Sequence, residues 1–237
     1  MNNFNFQDKV VIVTGAAGSL GSTVAEQFHK AGANLALVDL NFDKLQNESL
    51  KNASNVHLFP ADLTNEDSVN KLVESITKVF GQIDVLANVV GGFKMGPMVH
   101  ETSVADWDFM LNMNAKSVFL MSRAVIPHML KIGKGKVVSV AARAAVEGKA
   151  KMAPYCVSKA AVITLTQSLA AEHKHNNINV NCILPGTIDT PQNRADMPNA
   201  DFSNWVPTVD LANEILHLCS EQAKGVTGAA VPVYGRS

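Results

Sequence analysis

Short runs of apolar, often β-branched residues alternate along the chain with longer stretches whose apolar positions recur at helical spacing. The short runs predict strands at Val10–Val13, Asn34–Leu40, Asn55–Phe59, Ile83–Ala87, Lys136–Ala141, Ile178–Leu184 and Ala229–Val233. The longer stretches predict helices at Leu20–Ala31, Phe42–Asn52, Thr64–Val79, Ser103–Lys131, Pro154–His173 and Val209–Cys219. Thr64 is predicted to cap the third helix, and Pro127 to interrupt the fourth.

This alternation of strands and helices predicts a parallel sheet joined by right-handed crossovers. The strands are apolar along nearly their whole length, as expected when helices cover both faces of a sheet. The fold class is therefore α/β, a single doubly wound Rossmann-type domain over residues 1–237. Residues 189–207 break the rhythm with three prolines, and we predict a lid loop over a functional site there.

Composition and charge exclude several classes of function. Hydrophobic residues make up 47% of the chain and charged residues only 17%, which favours a large core and surface covered by other subunits. A net charge of −1 argues against nucleic acid as the main partner. Three cysteines without a CxxC pattern argue against a disulfide framework, and the chain lacks recognisable metal-ligand spacing. Neither a signal-peptide profile nor an apolar run of roughly 18–20 residues is found, so we expect a cytoplasmic protein without a membrane partner.

A glycine-rich segment joins the first strand to the first helix, with the sequence Thr14-Gly15-Ala16-Ala17-Gly18-Ser19-Leu20-Gly21. Glycines at such a junction allow a tight turn and let the backbone approach a pyrophosphate, which the free N–H groups of the helix attract. This predicts a dinucleotide site at Gly15, Gly18, Ser19, Leu20 and Gly21. The alternative is a turn whose small residues only pack the helix against the sheet.

Two acidic residues follow the next two strands. Asp39 ends the second strand, where a carboxylate accepts hydrogen bonds from ribose hydroxyls and repels a 2′-phosphate. This favours NAD over NADP. The alternative is an Asp39 that only caps the next helix. Asp62-Leu63 follows the third strand and is a candidate contact for the adenine amino group, or a simple turn.

Tyr155 and Lys159 are spaced i, i+4 and share one face of a predicted helix. A phenol with an ordinary pKa of about 10 is a poor acid or base near neutrality. A neighbouring ammonium favours the phenolate, which makes the pair a candidate general acid/base for a carbonyl–alcohol reaction. The alternative is a surface pair or a tyrosine in a subunit interface.

Together with Asn88-Val89-Val90-Gly91, Asn114 and Pro185-Gly186, these residues have the order and spacing of the short-chain dehydrogenase/reductase family, which the chain resembles over essentially its whole length. The resemblance implies one nicotinamide-dependent oxidoreductase domain, usually assembled as a homodimer or homotetramer. It implies that Tyr155 transfers the proton, that Lys159 lowers its pKa and binds the nicotinamide ribose, and that Asn114 supports a proton-relay water. It also implies cofactor contacts at Asn88, Pro185, Gly186 and Thr190.

Two positions depart from the family pattern. Ser19 stands where the loop usually carries glycine, which would shift its contact with the phosphates. Ala142 stands 13 residues before Tyr155, where the family has its catalytic serine. Ser139 lies three residues earlier, and an odd offset on an extended strand points to the opposite face. Loss of the hydroxyl should weaken simple ketone reduction but spare an acceptor that is already activated, such as a quinonoid imine.

Dihydropteridine reductase-like members of the family resemble the chain at this alanine and in residues 189–205. We therefore expect a small carbonyl, alcohol or quinonoid substrate, dihydropteridine among them. Candidate substrate contacts are Phe93, Met197, Phe202 and Trp205. The alternative function is a non-catalytic dinucleotide sensor or scaffold with the same fold.

Overall fold

The computed structural model describes residues 4–45 and 47–236. Its strands are β1 (Val10–Thr14), β2 (Asn34–Asp39), β3 (Val56–Pro60), β4 (Val85–Asn88), β5 (Gly135–Val140), β6 (Ile178–Pro185), β7 (Ile188–Asp189), β8 (Val206–Pro207) and β9 (Ala230–Val233). Its α-helices are α1 (Ser19–Lys30), α2 (Glu48–Lys51), α3 (Glu66–Phe80), α4 (Val104–Leu111), α5 (Ser117–Ile132), α6 (Ala153–His173), α7 (Pro191–Asp196) and α8 (Thr208–Cys219).

Seven parallel strands form one sheet in the order β3-β2-β1-β4-β5-β6-β9. Successive strand residues point to opposite faces, so each strand contributes to two apolar layers. Val11 and Val13 join the layer under α1 and α8, whereas Ile12 joins the layer under α3 and α5. Burial on both faces explains why the strands lack a polar alternation, and the doubly wound α/β prediction is confirmed.

Two predicted helix starts are wrong in detail. Among the described residues of the predicted Phe42–Asn52 helix, only Glu48–Lys51 are helical. Asn41 instead accepts a hydrogen bond from the Asp43 N–H, and Asn47 caps the short helix, because short polar side chains compete with helical backbone bonds. The cap of α3 is Asn65, which accepts from the Ser68 N–H, rather than Thr64, which bonds to Asp62.

The long helix predicted over Ser103–Lys131 is divided, but not at Pro127. A π-helical turn at Asn112–Lys116 separates α4 from α5, and Pro127 lies inside α5. Proline removes one N–H donor, and at this exposed position water can satisfy the carbonyl left over. A π turn is a common device at functional sites, and this one carries Asn114.

The strand order reverses between β1 and β4, and their carboxyl ends lie side by side, with Thr14 in register with Asn88. In open α/β sheets, such a switch point forms the crevice in which ligands bind. Residues 189–207, predicted as irregular, contain the β7–β8 pair, α7 and a 3-10 turn. None of the helices within the described ranges is long and apolar enough to cross a membrane.

Candidate active site

The glycine turn after β1 is shaped by close backbone packing. Gly15 has a φ of +67°, and a Cβ there would lie 2.9 Å from the backbone of Val90. A Cβ at Gly21 would lie 2.0 Å from the Gly15 carbonyl oxygen, which is backbone and cannot move aside. Close packing is therefore sufficient reason for glycine at both positions. This is the alternative explanation given above for the segment.

The N-terminus of α1 has the properties of an anion site as well. Gly18 is its N-cap and offers no side-chain hydrogen bond, and the first turn has no acidic residue. Gly18 and Ser19 are exposed, while the side chain of Leu20 is buried in the core. The first N–H groups of a helix lack intrahelical partners, so they can meet a phosphate at this exposed turn.

Asp39 joins the glycine turn to the end of β2. One carboxylate oxygen accepts from the Ala17 N–H at 2.9 Å and the other from the Leu40 N–H at 2.8 Å. Each oxygen keeps acceptor capacity for a ribose hydroxyl, because a carboxylate has about four acceptor sites. Asp39 does not cap α2, whose cap is Asn47.

Asp62 and Leu63 have different environments. Asp62 is exposed and accepts from both the N–H and the hydroxyl of Thr64, bonds that hold the pKa of its carboxyl below the ordinary value. It therefore forms the turn that the alternative interpretation described, and both bonds use the same carboxylate oxygen. Leu63 is buried in the layer under α3 and α5.

Asn88 ends β4 and carries a buried polar atom without a partner. Its Nδ2 donates to the Ser139 hydroxyl at 3.2 Å, while its Oδ1 has no hydrogen-bond partner among the described residues. The Thr14 hydroxyl beside it accepts from the Val89 and Val90 N–H groups at 3.0 and 3.2 Å. A buried acceptor without a donor is costly, and a ligand hydroxyl would satisfy it.

Tyr155 lies in the first turn of α6, which begins at Ala153 and has Pro154 at its start, where proline suits a helix. The ring of Phe93 meets the Tyr155 ring edge-on, with centroids 5.0 Å apart. Burial raises the pKa of Tyr155 to about 12, with a smaller contribution from Cys156. Loss of water around the phenol dominates this shift, and the lowering of this pKa by Lys159 stays a prediction.

Lys159 is one helical turn further along α6 and is 4% exposed. Its Nζ donates to the Val140 carbonyl at 2.8 Å, which anchors α6 to the end of β5. Burial lowers the pKa of Lys159 to about 8, and the Cys182 thiol opposes this shift. A Cβ at Gly91 would lie 2.9 Å from this Nζ, so the loop after β4 passes directly over the ammonium.

The side-chain amide of Asn114 forms hydrogen bonds with neighbouring protein groups. Its Oδ1 accepts from the Gly92 N–H at 2.9 Å, and its Nδ2 donates to the Gly92 carbonyl and to the Ser158 hydroxyl, each at 3.0 Å. A relay water at Asn114 could then use the second acceptor position of Oδ1 or the main chain. The amide joins the π turn, the loop after β4 and α6.

Ala142 follows β5 in an extended conformation, and its methyl group is buried. Ser139 is also buried, and its hydroxyl accepts a hydrogen bond from Nδ2 of Asn88. We do not expect it to replace the missing hydroxyl.

The segment 189–207 is held together by its own contacts. Asp189 binds Arg194 through two hydrogen bonds of 2.6 and 2.8 Å, and the Arg194 guanidinium lies over the Phe202 ring. Phe202 in turn stacks on Trp205, which is 8% exposed. Trp205, itself part of the segment, is therefore buried, whereas Met197 is exposed.

The remaining predicted cofactor residues lie where this segment begins. Thr190 accepts from the Asn193 N–H and caps α7, and Pro185 ends β6. The Gly186 N–H donates to Val233, and the Arg236 N–H donates to Asn204, so the C-terminal strand and tail border the segment on one side.

Sequence reasoning gave no role to Thr14 or Ser158, although both lie inside the motifs it used. Both could have been found as hydroxyl residues at positions where the hydrophobic pattern predicts burial. The described residues fit a nicotinamide dinucleotide, since the switch-point crevice combines an uncapped helix, a carboxylate and an orphaned acceptor at Asn88.

Comparisons with known proteins show which family the chain belongs to. The family model for short chain dehydrogenases matches residues 9–201. The chain is 34% identical to the NAD-dependent glycerol dehydrogenase of Listeria innocua, with 98% of this chain and 95% of the relative covered. It is 30% identical to the 3-oxoacyl-(acyl-carrier-protein) reductase of Thermotoga maritima, with 97% of each covered. The crystal structure of gox2181 superposes with a TM-score of 0.90 at 25% identity, covering 98% of this chain and 96% of that one. The chain belongs to the short-chain dehydrogenase/reductase family.

Proposed function

We propose that residues 1–237 form one NAD-dependent oxidoreductase domain that acts on a small carbonyl or alcohol, or on a quinonoid ring such as a dihydropteridine. The main support for the proposal is α6, which holds the Tyr155 phenol and the anchored Lys159 ammonium one turn apart. Both lie at the carboxyl ends of the strands, where the uncapped N-terminus of α1 also lies. A bound nicotinamide ring would supply the hydride in reduction and accept it in oxidation.

Tyr155 is proposed as the proton donor and acceptor. With its pKa at about 12, the phenol keeps its proton near neutrality and can donate it to a substrate oxygen or nitrogen during reduction. In the oxidation direction the phenol must first lose that proton. Lys159, on the same helix face, is the ammonium that would favour the phenolate once a ligand closes the site.

Asp39 supports a preference for NAD. Its carboxylate would bind the adenosine ribose and repel a 2′-phosphate at the same position. The name of the Listeria innocua relative, an NAD-dependent dehydrogenase, is in line with this choice.

Ala142 bears on the substrate. Without a hydroxyl there, Tyr155 is left as the proposed donor to the reacting atom, which suits an acceptor that needs little polarisation. This favours the quinonoid dihydropteridine, whereas the names of the two relatives favour a carbonyl or alcohol. Phe93, at the Tyr155 ring, is the aromatic contact we propose for either substrate.

Ala142 also favours a second candidate, a dinucleotide sensor that kept the fold and lost the reaction. Calorimetry that detects NADH binding, together with no turnover on the panel described next, would support the sensor.

The direct test is steady-state oxidation of NADH with quinonoid dihydropterin and, separately, with a panel of ketones and 3-oxoacyl thioesters. Tyr155→Phe should lower kcat by about 10²-fold or more while NADH binding persists. Tyr234→Phe removes the chain's other phenol and serves as the matched control. Unchanged turnover in Tyr155→Phe would overturn the mechanism.

We also propose a homodimer or homotetramer, with residues 189–207 as a lid. Trp107 and Phe109 on α4 and Phe119 on α5 leave 38%, 48% and 46% of their surface exposed. Covering such side chains by a second copy would bury apolar surface. Light scattering at several protein concentrations tests the assembly.

A further inference from the structure

Ser158 is a fully buried hydroxyl between the two residues proposed to carry the reaction. It follows Tyr155 by three positions and directly precedes Lys159. Its Oγ–H donates to the Tyr155 carbonyl at 2.8 Å, and its Oγ accepts from Nδ2 of Asn114 at 3.0 Å. One hydroxyl therefore links the first turn of α6 to the π turn.

We infer that Ser158 is a positioning residue for the reaction, acting through Asn114 on the loop that carries Phe93. The inference rests on the proposed function of Tyr155. Ser158 meets no substrate itself; it sets the orientation of an amide that fixes Gly92, next to the ring that packs on Tyr155.

The orientation of the Asn114 amide depends on Ser158 because the two Nδ2 hydrogens are donated to different acceptors. Both Asn114 hydrogen bonds to Gly92 persist only if Oδ1 faces the Gly92 N–H and Nδ2 faces its carbonyl. The second Nδ2 hydrogen then points at Ser158. Without the serine oxygen, that buried hydrogen has only the weak acceptor Sδ of Met110, at 3.9 Å. The amide is then free to rotate or to bind water, which weakens its hydrogen bonds to Gly92.

A simpler account is that Ser158 only satisfies its own helix, as hydroxyl residues in helices often do. Thr166 is the matched control for that account. It lies on α6, is 2% exposed, and donates to the Val162 carbonyl at 2.8 Å. Thr166→Val removes a buried hydroxyl from the same helix but leaves Asn114 untouched.

Hydrogen exchange at Gly92 tests the network without any substrate. In protein labelled with ¹⁵N-glycine, the Gly92 amide signal is assigned by its loss in Gly92→Ala. Ser158→Ala should accelerate exchange of this amide by about tenfold or more, a shift expected when one buried hydrogen bond is lost. Thr166→Val should leave it unchanged. An unchanged Gly92 amide in folded Ser158→Ala protein would overturn the inference, whatever the activity.

Kinetics test the link to the reaction, with NADH and whichever of quinonoid dihydropterin or ketone the wild type reduces. Ser158→Ala should lower kcat by about 10- to 100-fold with a much smaller change in KM. In an Asn114→Ala background, Ser158→Ala should lower kcat no further, because its effect passes through Asn114. Equal and additive losses in both backgrounds would overturn the positioning role. If the wild type reduces neither substrate, the proposed function fails, and the Gly92 amide alone decides whether Ser158 holds this loop.

Discussion

Replacing Lys159 with methionine should change how the stability of the protein depends on pH. Burial lowers the pKa of Lys159 to about 8 in the folded state, against an ordinary value of 10.5. Between these two values the unfolded chain binds a proton that the folded chain has released, so the free energy of unfolding of the wild type rises with pH in this window. Lys159→Met lacks the group and should not show this rise.

The magnitude follows from the two pKa values. Each pKa unit corresponds to about 1.4 kcal/mol, and integration from pH 7 to pH 10 gives the wild type about 2.5 kcal/mol relative to the variant. The hydrogen bond from Nζ to the Val140 carbonyl is lost in the variant at every pH. Its loss therefore shifts the free energy of unfolding of the variant by a constant amount. The dependence on pH, on which the prediction rests, is unchanged.

Urea-induced unfolding of both proteins at one protein concentration, repeated between about pH 7 and pH 10, measures the difference. Lys78→Met, which removes an exposed ammonium from α3, should give a curve parallel to that of the wild type. A wild-type curve that stays within about 0.5 kcal/mol of the Lys159→Met curve, after a constant offset, would refute a buried and destabilised ammonium.

Three further changes test the other parts of the site. Asp39→Asn should raise the NADP-to-NAD ratio of kcat/KM by about tenfold or more, because the charge that repels a 2′-phosphate is gone, and steady-state kinetics with both cofactors would show it. Gly21→Ala places a Cβ 2.0 Å from the Gly15 carbonyl oxygen and should lower the free energy of unfolding by about 3 kcal/mol or more, whereas Gly148→Ala, with nothing within 4 Å, should unfold in urea like the wild type. Ala142→Ser should raise ketone reduction by about 10²-fold and leave quinonoid reduction unchanged, and equal ketone rates would mean that this position does not reach the substrate oxygen.

The parallel sheet and its doubly wound class followed from the sequence because both faces of each strand are covered. An apolar run such as Val10–Val13 needs no information beyond its neighbours in the chain to indicate a buried strand. The spacing of Tyr155 and Lys159 likewise placed them on one helix face, since that depends only on helical geometry.

The electrostatics of this pair could not be predicted in the same way. The pKa of Tyr155 depends on how much water the fold removes from the phenol, and Phe93, which covers it, lies 62 positions away in the chain. The wrong extent of α2 has a local cause, because a series of Asn and Asp side chains can satisfy backbone donors outside a helix. Trp205 is buried against Phe202, a contact that no periodicity reveals, and its contact with substrate stays a prediction.

The hydrogen bond from the Arg236 N–H to Asn204 has a practical consequence for anyone who produces this protein. A purification tag on the C-terminal side of Arg236 is expected to lie close to the segment that flanks the crevice and to obstruct entry. Phe6 is near Ala31, in the connection between α1 and β2 at the opposite end of the sheet, so a tag placed before it would leave the crevice undisturbed.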